Sequence, residues 1–427
     1  MPERQPSPPL PAGSAGPAGR SAYLWEVLRT LWPEPARIRR CGRTAPGSAG
    51  QIELLVVPSE SRAVLLLPRR PRRAAASVLR NYKASAATSG RLRFRVLGLA
   101  AQAGLAEVLP HRISIESGPQ ATRDDIASYL RAVLHRDAVV GVRISPPRAN
   151  RKPVLHVVGP DGAELGFVKV GINALTGELV RAESAALGFL ATAPLARLES
   201  PRLIHHGQWR GHEVLVQEAV SGSGPARAWA EVSGAMAELA GIRGITRLPA
   251  SRSGYWRGLR SRLEACAEND PARVLLRALS RLEPEAEGTS IAFGTWHGDW
   301  TPWNMTMSRG RAIVWDWERF QTGIPVGYDA IHYRLQDAVI RDGSAAQAAA
   351  EAAVTGAAAA LIPLGVEPHT TRLVATLYLV EIAARYLHDG QAEAGARLGD
   401  VGSWLLPVVV RQAEELTAGG RLRGGAT

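Results

Sequence analysis

Trp296-His297-Gly298-Asp299-Trp300-Thr301-Pro302-Trp303-Asn304-Met305, followed by Val314-Trp315-Asp316-Trp317-Glu318, is the stretch on which the reading of this chain turns. A polar loop carries Asp299 and, five residues on, Asn304. A short arm leads to an apolar run of strand composition, Ala312-Ile313-Val314-Trp315, which delivers Asp316. Two carboxylates and an amide on loops beside a strand pair suit Mg2+-dependent phosphoryl transfer. Mg2+ prefers oxygen ligands, and one or two from protein suffice when phosphates supply the rest. Such chemistry consists mostly of positioning and charge neutralisation. One carboxylate faces the attacking hydroxyl, and the amide oxygen and the other carboxylate hold metal.

The Asp-x4-Asn spacing, with an Asp delivered by the next strand, resembles that of protein-kinase-like enzymes. His297-Gly298-Asp299 and Asp316-Trp317-Glu318 look like the aminoglycoside phosphotransferase branch of that fold, as do Gly323-Ile324-Pro325 and Gly327-Tyr328-Asp329. That branch phosphorylates hydroxyls on small molecules. The resemblance implies ATP, or GTP, with Mg2+ as cofactors. It implies Asp299 as the catalytic residue and Asn304 and Asp316 as metal ligands. Asp299, with an ordinary pKa near 3.9, is a weak base, so its expected task is to orient the hydroxyl and accept its proton late. His297 is expected to hold loop backbone, and Asp329 to cap the following helix.

Composition narrows the remaining choices. The chain has 427 residues, 46% of them hydrophobic, enough for two or three domains and a large core. The first twenty residues lack the apolar core of a secretory signal, and the apolar run 352–366 is too broken to span a bilayer. Cys41 and Cys266 form no metal spacing, so a reducing, cytoplasmic location is expected. The net charge of +12 invites a nucleic-acid reading, but no basic stripe interleaves with stacking aromatics. Among 51 basic residues only Lys83, Lys152 and Lys169 are lysine. In a chain that fills ordinary cationic positions with arginine, a retained lysine suggests that a compact ammonium is needed, as at a phosphate contact. Lys169 is the candidate.

The expected architecture is α+β: a bilobal protein-kinase-like fold with a small antiparallel-sheet lobe, a mostly helical large lobe and an N-terminal α+β extension. Residues 1–45 read as a disordered Pro/Gly-rich tail with one short helix, 23–32, and a basic linker. Residues 46–135 read as an accessory module with strands at 52–57, 63–67 and 92–96 and helices at 74–82 and 122–135, the last capped by Thr122. Residues 136–222 give three strands, 138–144, 154–158 and 165–170, then a helix from about 179 to 190 and a strand, 213–220. That order is the small lobe of the kinase-like fold, and the resemblance implies a Lys169–Glu183 ion pair that aims the ammonium at nucleotide phosphates. It also implies base contacts from backbone around Gln217 and Ala219. Residues 223–427 form the large lobe, with helices at 226–241, 253–267, 271–282, 327–341, 344–361, 369–388 and 404–417.

One departure stands out. The loop between the first two small-lobe strands, Ser145-Pro146-Pro147-Arg148-Ala149-Asn150-Arg151-Lys152-Pro153, has no glycine, and its prolines donate no amide. Arg148, Arg151 or Lys152 could meet phosphate through side chains instead. Five of the eleven tryptophans lie between 296 and 317; Trp296 and Trp315 are expected to pack, while Trp300 and Trp303 are open between packing and a stacking platform. The expected partner is a small-molecule hydroxyl acceptor (aminoglycoside, sugar or amino alcohol), neutral or cationic beside Asp299 and Glu318, with no nucleic acid and no membrane span. The alternative is a non-catalytic kinase-like binding or regulatory protein.

Overall fold

A computed structural model describes residues 17–41, 51–82, 111–116, 124–220, 229–340 and 343–424. Its centre is a nine-stranded sheet, antiparallel throughout. In chain order its strands are β1 (Arg37–Cys41), β2 (Gln51–Val57), β3 (Leu65–Pro68), β4 (Arg112–Glu116), β5 (Val139–Arg143), β6 (Val154–Val158) and β7 (Glu164–Gly171). After β8 (Leu198–Glu199), which lies elsewhere, come β9 (Leu203–Trp209) and β10 (His212–Gln217). They align as β1-β4-β2-β3-β5-β6-β7-β10-β9. The extension and the small lobe therefore share one sheet, joined where Leu65 pairs with Arg143 and Leu66 with Val142.

Alternation along these strands sorts residues to two faces. The outer face (Leu54, Val56, Leu66, Val140, Val142, Val168, Val170) is covered by α1 (Pro17–Leu31) and α3 (Ile126–Leu134). Helix α1 exceeds the expected 23–32 at its N-terminal end and buries Leu24, Val27, Leu28 and Leu31 completely, so it belongs to this core. The inner face carries α2 (Arg72–Tyr82), whose Ala75, Val78 and Leu79 pack on Leu55, Leu65 and Leu67. A Cβ on Gly141 would lie 2.4 Å from Val78 Cγ1, so the missing side chain lets α2 press onto β5.

Several expectations change in detail. The basic linker is strand β1: as an edge strand it needs only Ile38 to pack, and its arginines stay solvated, hiding the strand in the sequence. Asp125, not Thr122, caps α3, accepting from Ser128 N–H at 2.8 Å. Thr122 and the expected strand 92–96 lie outside the described residues. Helix α4 (Ala174–Leu190) starts five residues before 179 because Asn173 and Thr176 form a capping box, which places Glu183 in its middle.

The large lobe contains α5 (Trp229–Gly241), β11 (Thr246–Pro249), α6 (Gly254–Glu264), α7 (Asp270–Gly288), β12 (Ser290–Trp296), β13 (Met305–Ser308), β14 (Arg311–Val314) and β15 (Gln321–Pro325). Helices α8 (Tyr328–Ile340), α9 (Ala346–Thr355), α10 (Ala357–Leu361), α11 (Thr371–His388) and α12 (Leu406–Gly424) complete it. Two short sheets, β11-β12-β15 and β13-β14-β8, hold the loops of interest. Helix α7 runs through Pro284 to Gly288, beyond the expected end at 282, because its apolar stripe continues through Leu279, Leu282 and Ala286 and stays buried. The expected helix 344–361 breaks at Gly356 into α9 and α10. No single described helix is long and apolar enough to cross a membrane; one pair, 346–355 with 357–364, passes that test together but is bent by 70°.

Candidate active site

The inner face of the small-lobe sheet roofs a cavity of about 320 Å³, and the loops after β12 and β14 form its floor. Two rows of side chains cross the roof. Gly141, His156, Phe167 and Gln217 form one row, and Arg143, Val154, Lys169 and Leu215 the other, in direct register. The His156 and Phe167 rings stack at 4.6 Å. Gln217 lines the cavity, and its side-chain carbonyl oxygen is buried without a hydrogen-bond partner. Glu218 and Val220 also line the cavity; Ala219 between them does not.

Lys169 is buried and donates to both Glu183 oxygens, at 2.7 and 2.6 Å. It also reaches Asp316 Oδ1 at 2.5 Å. Glu183 is fully buried, and burial raises its carboxyl while Lys169 pulls it down. Burial also opposes charge on Asp316, but Lys169 and then Lys152 outweigh it and hold that carboxyl well below the usual range. Asp316 itself sits at φ 75°, a left-handed conformation that Asp tolerates better than most residues and that turns its carboxylate into the cleft.

On the floor, Asn304 Nδ2 donates to Asp299 Oδ2 and to the Asp299 carbonyl, both at 3.0 Å. The other Asp299 oxygen meets His332 Nε2 at 3.0 Å, and His332 Nδ1 meets the Tyr378 hydroxyl at 2.7 Å. Burial lowers the His332 pKa against the pull of Asp299, so the ring is neutral. Nε2–H then donates to Asp299 and Nδ1 accepts from Tyr378. Burial works against the Asp299 charge, but the His332 hydrogen bond leads the effects that hold its carboxyl below its ordinary value. Its side chain remains 39% exposed, open to an incoming group.

His297 fixes this floor. Its Nδ1 accepts from Asp299 N–H at 3.1 Å, so Nε2–H donates to the Trp315 carbonyl, also at 3.1 Å, tying the loop of Asp299 to the strand end before Asp316. Asp329, expected as a helix cap, instead accepts from His297 and Gly298 N–H, at 2.7 and 3.0 Å, from the first turn of α8. Arg385 donates to the Gly298 carbonyl at 2.6 Å and lies over Trp296 at 5.4 Å. Gly298 has φ 86°, and a Cβ there would lie 2.5 Å from the Arg319 carbonyl, which accounts for glycine between His297 and Asp299. Trp300 and Trp317 are wholly buried, whereas Trp303 and Trp315 line the cavity; Trp315 was expected to pack, but its strand end faces the cleft.

Lys152 is a lysine in the same arginine-rich background as Lys169. Lys152 is buried and ion-paired with Glu318, which also accepts from Asn150 Nδ2 at 2.9 Å. Ala149 N–H donates to Gln391 Oε1 at 3.2 Å, so the glycine-free loop is docked on the large lobe. Arg151 points elsewhere, over the Tyr23 ring at 3.9 Å. Lys83 lies outside the described residues.

Burial lowers His297 and His156 to about 4 each. Their folded pKa values lie below the ordinary value near 6.5, so the unfolded chain takes up their protons first and stability falls as pH drops from about 6.5 toward 4. Each contributes up to roughly 3 kcal/mol over that window. Urea melts should show this decline, and His297→Gln should flatten it; equal stability at pH 7 and pH 4.5 in the wild type would contradict it.

The fold and this two-sided cleft define a class: a small-molecule phosphotransferase of the protein-kinase-like type. Residues 173–358 match the family model described as the phosphotransferase enzyme family, APH. A choline kinase, LicA, from Streptococcus pneumoniae aligns at 14% identity, with a TM-score of 0.43, over 69% of this chain and 98% of its own. A thermostable mutant of aminoglycoside phosphotransferase APH(4)-Ia, in a ternary complex with ADP and hygromycin B, aligns at 13% identity, TM-score 0.41, over 71% of this chain and 99% of its own. No curated protein matches.

Proposed function

We infer that the protein transfers the γ-phosphoryl group of ATP, or GTP, to a hydroxyl of a small molecule (an aminoglycoside, sugar or amino alcohol), with Mg2+ as cofactor. The observation that carries this reading is one cavity whose roof carries Lys169, held from behind by buried Glu183, and whose floor carries Asp316 and Asp299, the latter bound to Asn304. Oxygen atoms of Glu183, Asp316 and Glu318 lie within 4.8 Å of one another. Because Asn304 spends its nitrogen on Asp299, its amide oxygen is the atom available to a metal. An all-oxygen donor set fits Mg2+ rather than a softer ion. Asp316 and Asn304 are the ligands proposed, and the bound ion supplies neutralisation of phosphate charge.

In the proposed reaction the acceptor hydroxyl donates to Asp299, whose carboxylate is held by His332 and Asn304. Its oxygen bonds to the γ-phosphorus as the bond to the β-bridging oxygen breaks. The hydroxyl proton passes to Asp299 and then to solvent, and the nucleoside diphosphate leaves with the electron pair. Lys169 holds the phosphates, and Gln217 lies where it can meet the base.

A thermal-shift titration tests the reading. ATP with Mg2+ at a hundredfold over Kd should stabilise the native protein by roughly 2.7 kcal/mol. Asp316→Ala should diminish the Mg2+-dependent part. No shift with either ATP or GTP, in folded protein, would favour the non-catalytic alternative.

A further inference from the structure

We propose that the large lobe carries a second ligand site, remote from the cleft, which takes a small organic anion with an apolar body. It is a cavity of about 920 Å³ between the β11-β12-β15 sheet and α6, within the size range of small-molecule pockets. It shares no lining residue with the cleft, so it stands apart from the reading of the cleft as a phosphotransfer site.

Missing side chains make the space. Gly258 stands in the middle of α6, where a glycine costs about 1 kcal/mol against alanine, and a Cβ there would meet nothing within 4 Å. Gly244 and Gly323 line the cavity too, and a Cβ at either would also meet open space. The wall between them is apolar: Leu248 of β11, Tyr255 of α6, Phe293 of β12 and Ile324 of β15. The Tyr255 and Phe293 rings lie 6.3 Å apart, and the Tyr255 hydroxyl is bonded to that of Tyr328 at 2.7 Å. A ligand therefore meets rings and aliphatic side chains here, a surface suited to an apolar body.

Two polar groups supply the specificity. Thr295 lines the cavity and is only 4% exposed, and its hydroxyl has no hydrogen-bond partner among the described residues. Leaving a buried polar atom unpaired costs free energy, which a ligand oxygen accepting from that hydroxyl would recover. The second group is the Arg243 guanidinium, exposed and laid over the Phe189 ring at 4.1 Å. Arg262 also lines the cavity, but Glu381 engages both its amino groups, at 2.8 and 2.5 Å. No aspartate or glutamate lines it. A positive charge, a hydroxyl donor and an apolar wall match a carboxylate on an apolar body, whereas a cation finds no counter-charge.

Titration calorimetry on the full chain, with three probes that share one ring, tests this: indole-3-acetate, indole-3-acetamide and tryptamine. The anion should bind, the amide roughly 10–100-fold more weakly, the range for a hydrogen bond to a charged group, and the cation not at all. Arg243→Gln should erase the preference for the anion over the amide. Thr295→Val, of similar shape, should weaken the anion by roughly 3–10-fold without lowering the melting temperature, since it removes an unpaired buried hydroxyl. Gly258→Leu should fill the space and abolish binding. Arg257→Gln, on the same helix but outside the cavity, should bind as wild type. Equal affinity for anion and amide, wild-type affinity in Gly258→Leu, or absence of binding by all three probes would each overturn the proposal. A lower melting temperature in Thr295→Val would show its hydroxyl bonded within the fold and overturn it as well. None of these outcomes depends on ATP or Mg2+, so failure here leaves the proposed function standing.

Discussion

Asp299→Asn should lower kcat by roughly 10²–10⁴-fold, the range for losing a positioned acid–base group, while nucleotide affinity changes little. The carboxylate takes one hydrogen bond on each oxygen, from His332 and from Asn304. An asparagine keeps the shape but must turn an N–H2 group toward one of these donors. It also loses the acceptor that takes the hydroxyl proton. Because Asp299 is 39% exposed at its side chain, the change should leave the fold largely intact, which separates the loss of rate from unfolding. Single-turnover measurements with excess enzyme isolate the chemical step. A variant retaining a tenth of the wild-type rate would remove Asp299 from the proposed role. His332→Gln should have a smaller effect, since it orients Asp299 without touching the reacting atoms.

Lys169→Met should destabilise the protein by about 3–5 kcal/mol, besides impairing phosphate binding. It leaves Glu183, fully buried, with no counter-charge, and releases Asp316 as well. Burial already holds the Glu183 carboxyl above its ordinary value in the wild type, and loss of Lys169 raises it further. The added penalty is therefore absent in acid, where this carboxyl is protonated in both proteins, and grows as pH rises through the wild-type folded value. Denaturant melts of wild type and variant compared at pH 7 and pH 4 should show the gap narrowing in acid. The double variant Lys169→Met with Glu183→Leu should recover part of the stability but none of the phosphate binding, because it replaces a buried pair with apolar packing. A gap below 1 kcal/mol at pH 7 would show that the pair is dispensable to the fold.

The parts of the site legible in the sequence are those set by short spacings. Asp299 and Asn304 share one loop, and Asp316 follows the second strand of the hairpin after it, β14, so local geometry fixes their order. Lys169 and Glu183 lie fourteen residues apart on a strand and the helix after it, and scarcity of lysine marked the first of them. What escaped came from distant segments: His332 and Tyr378 on two large-lobe helices, Arg385 on the second of these, and Glu318 facing Lys152 across the cleft. Lys152 carried the same signal as Lys169 but sat in a loop whose path no periodicity fixes. Asp329 was visible beside Gly327, yet a cap and a brace for the loop of His297 look alike until α8 is placed.

The sequence by itself determined the α+β class, the order of strands and helices around the site, most of the large-lobe helices and the chemical identity of the central carboxylates. Period-two and period-3.6 patterns, turn residues and caps act over a few residues, so they survive without tertiary context. Only the tertiary structure decided that the N-terminal module shares the small-lobe sheet and walls the cavity. Strand pairing between β3 and β5 crosses about seventy residues of chain, and nothing local selects a partner for an edge. It also decided which cations line the cleft. Arg143, Arg148, Arg151 and Lys152 lie within ten residues of one another, and their burial, partners and direction depend on α2, α1 and the large lobe folding against them.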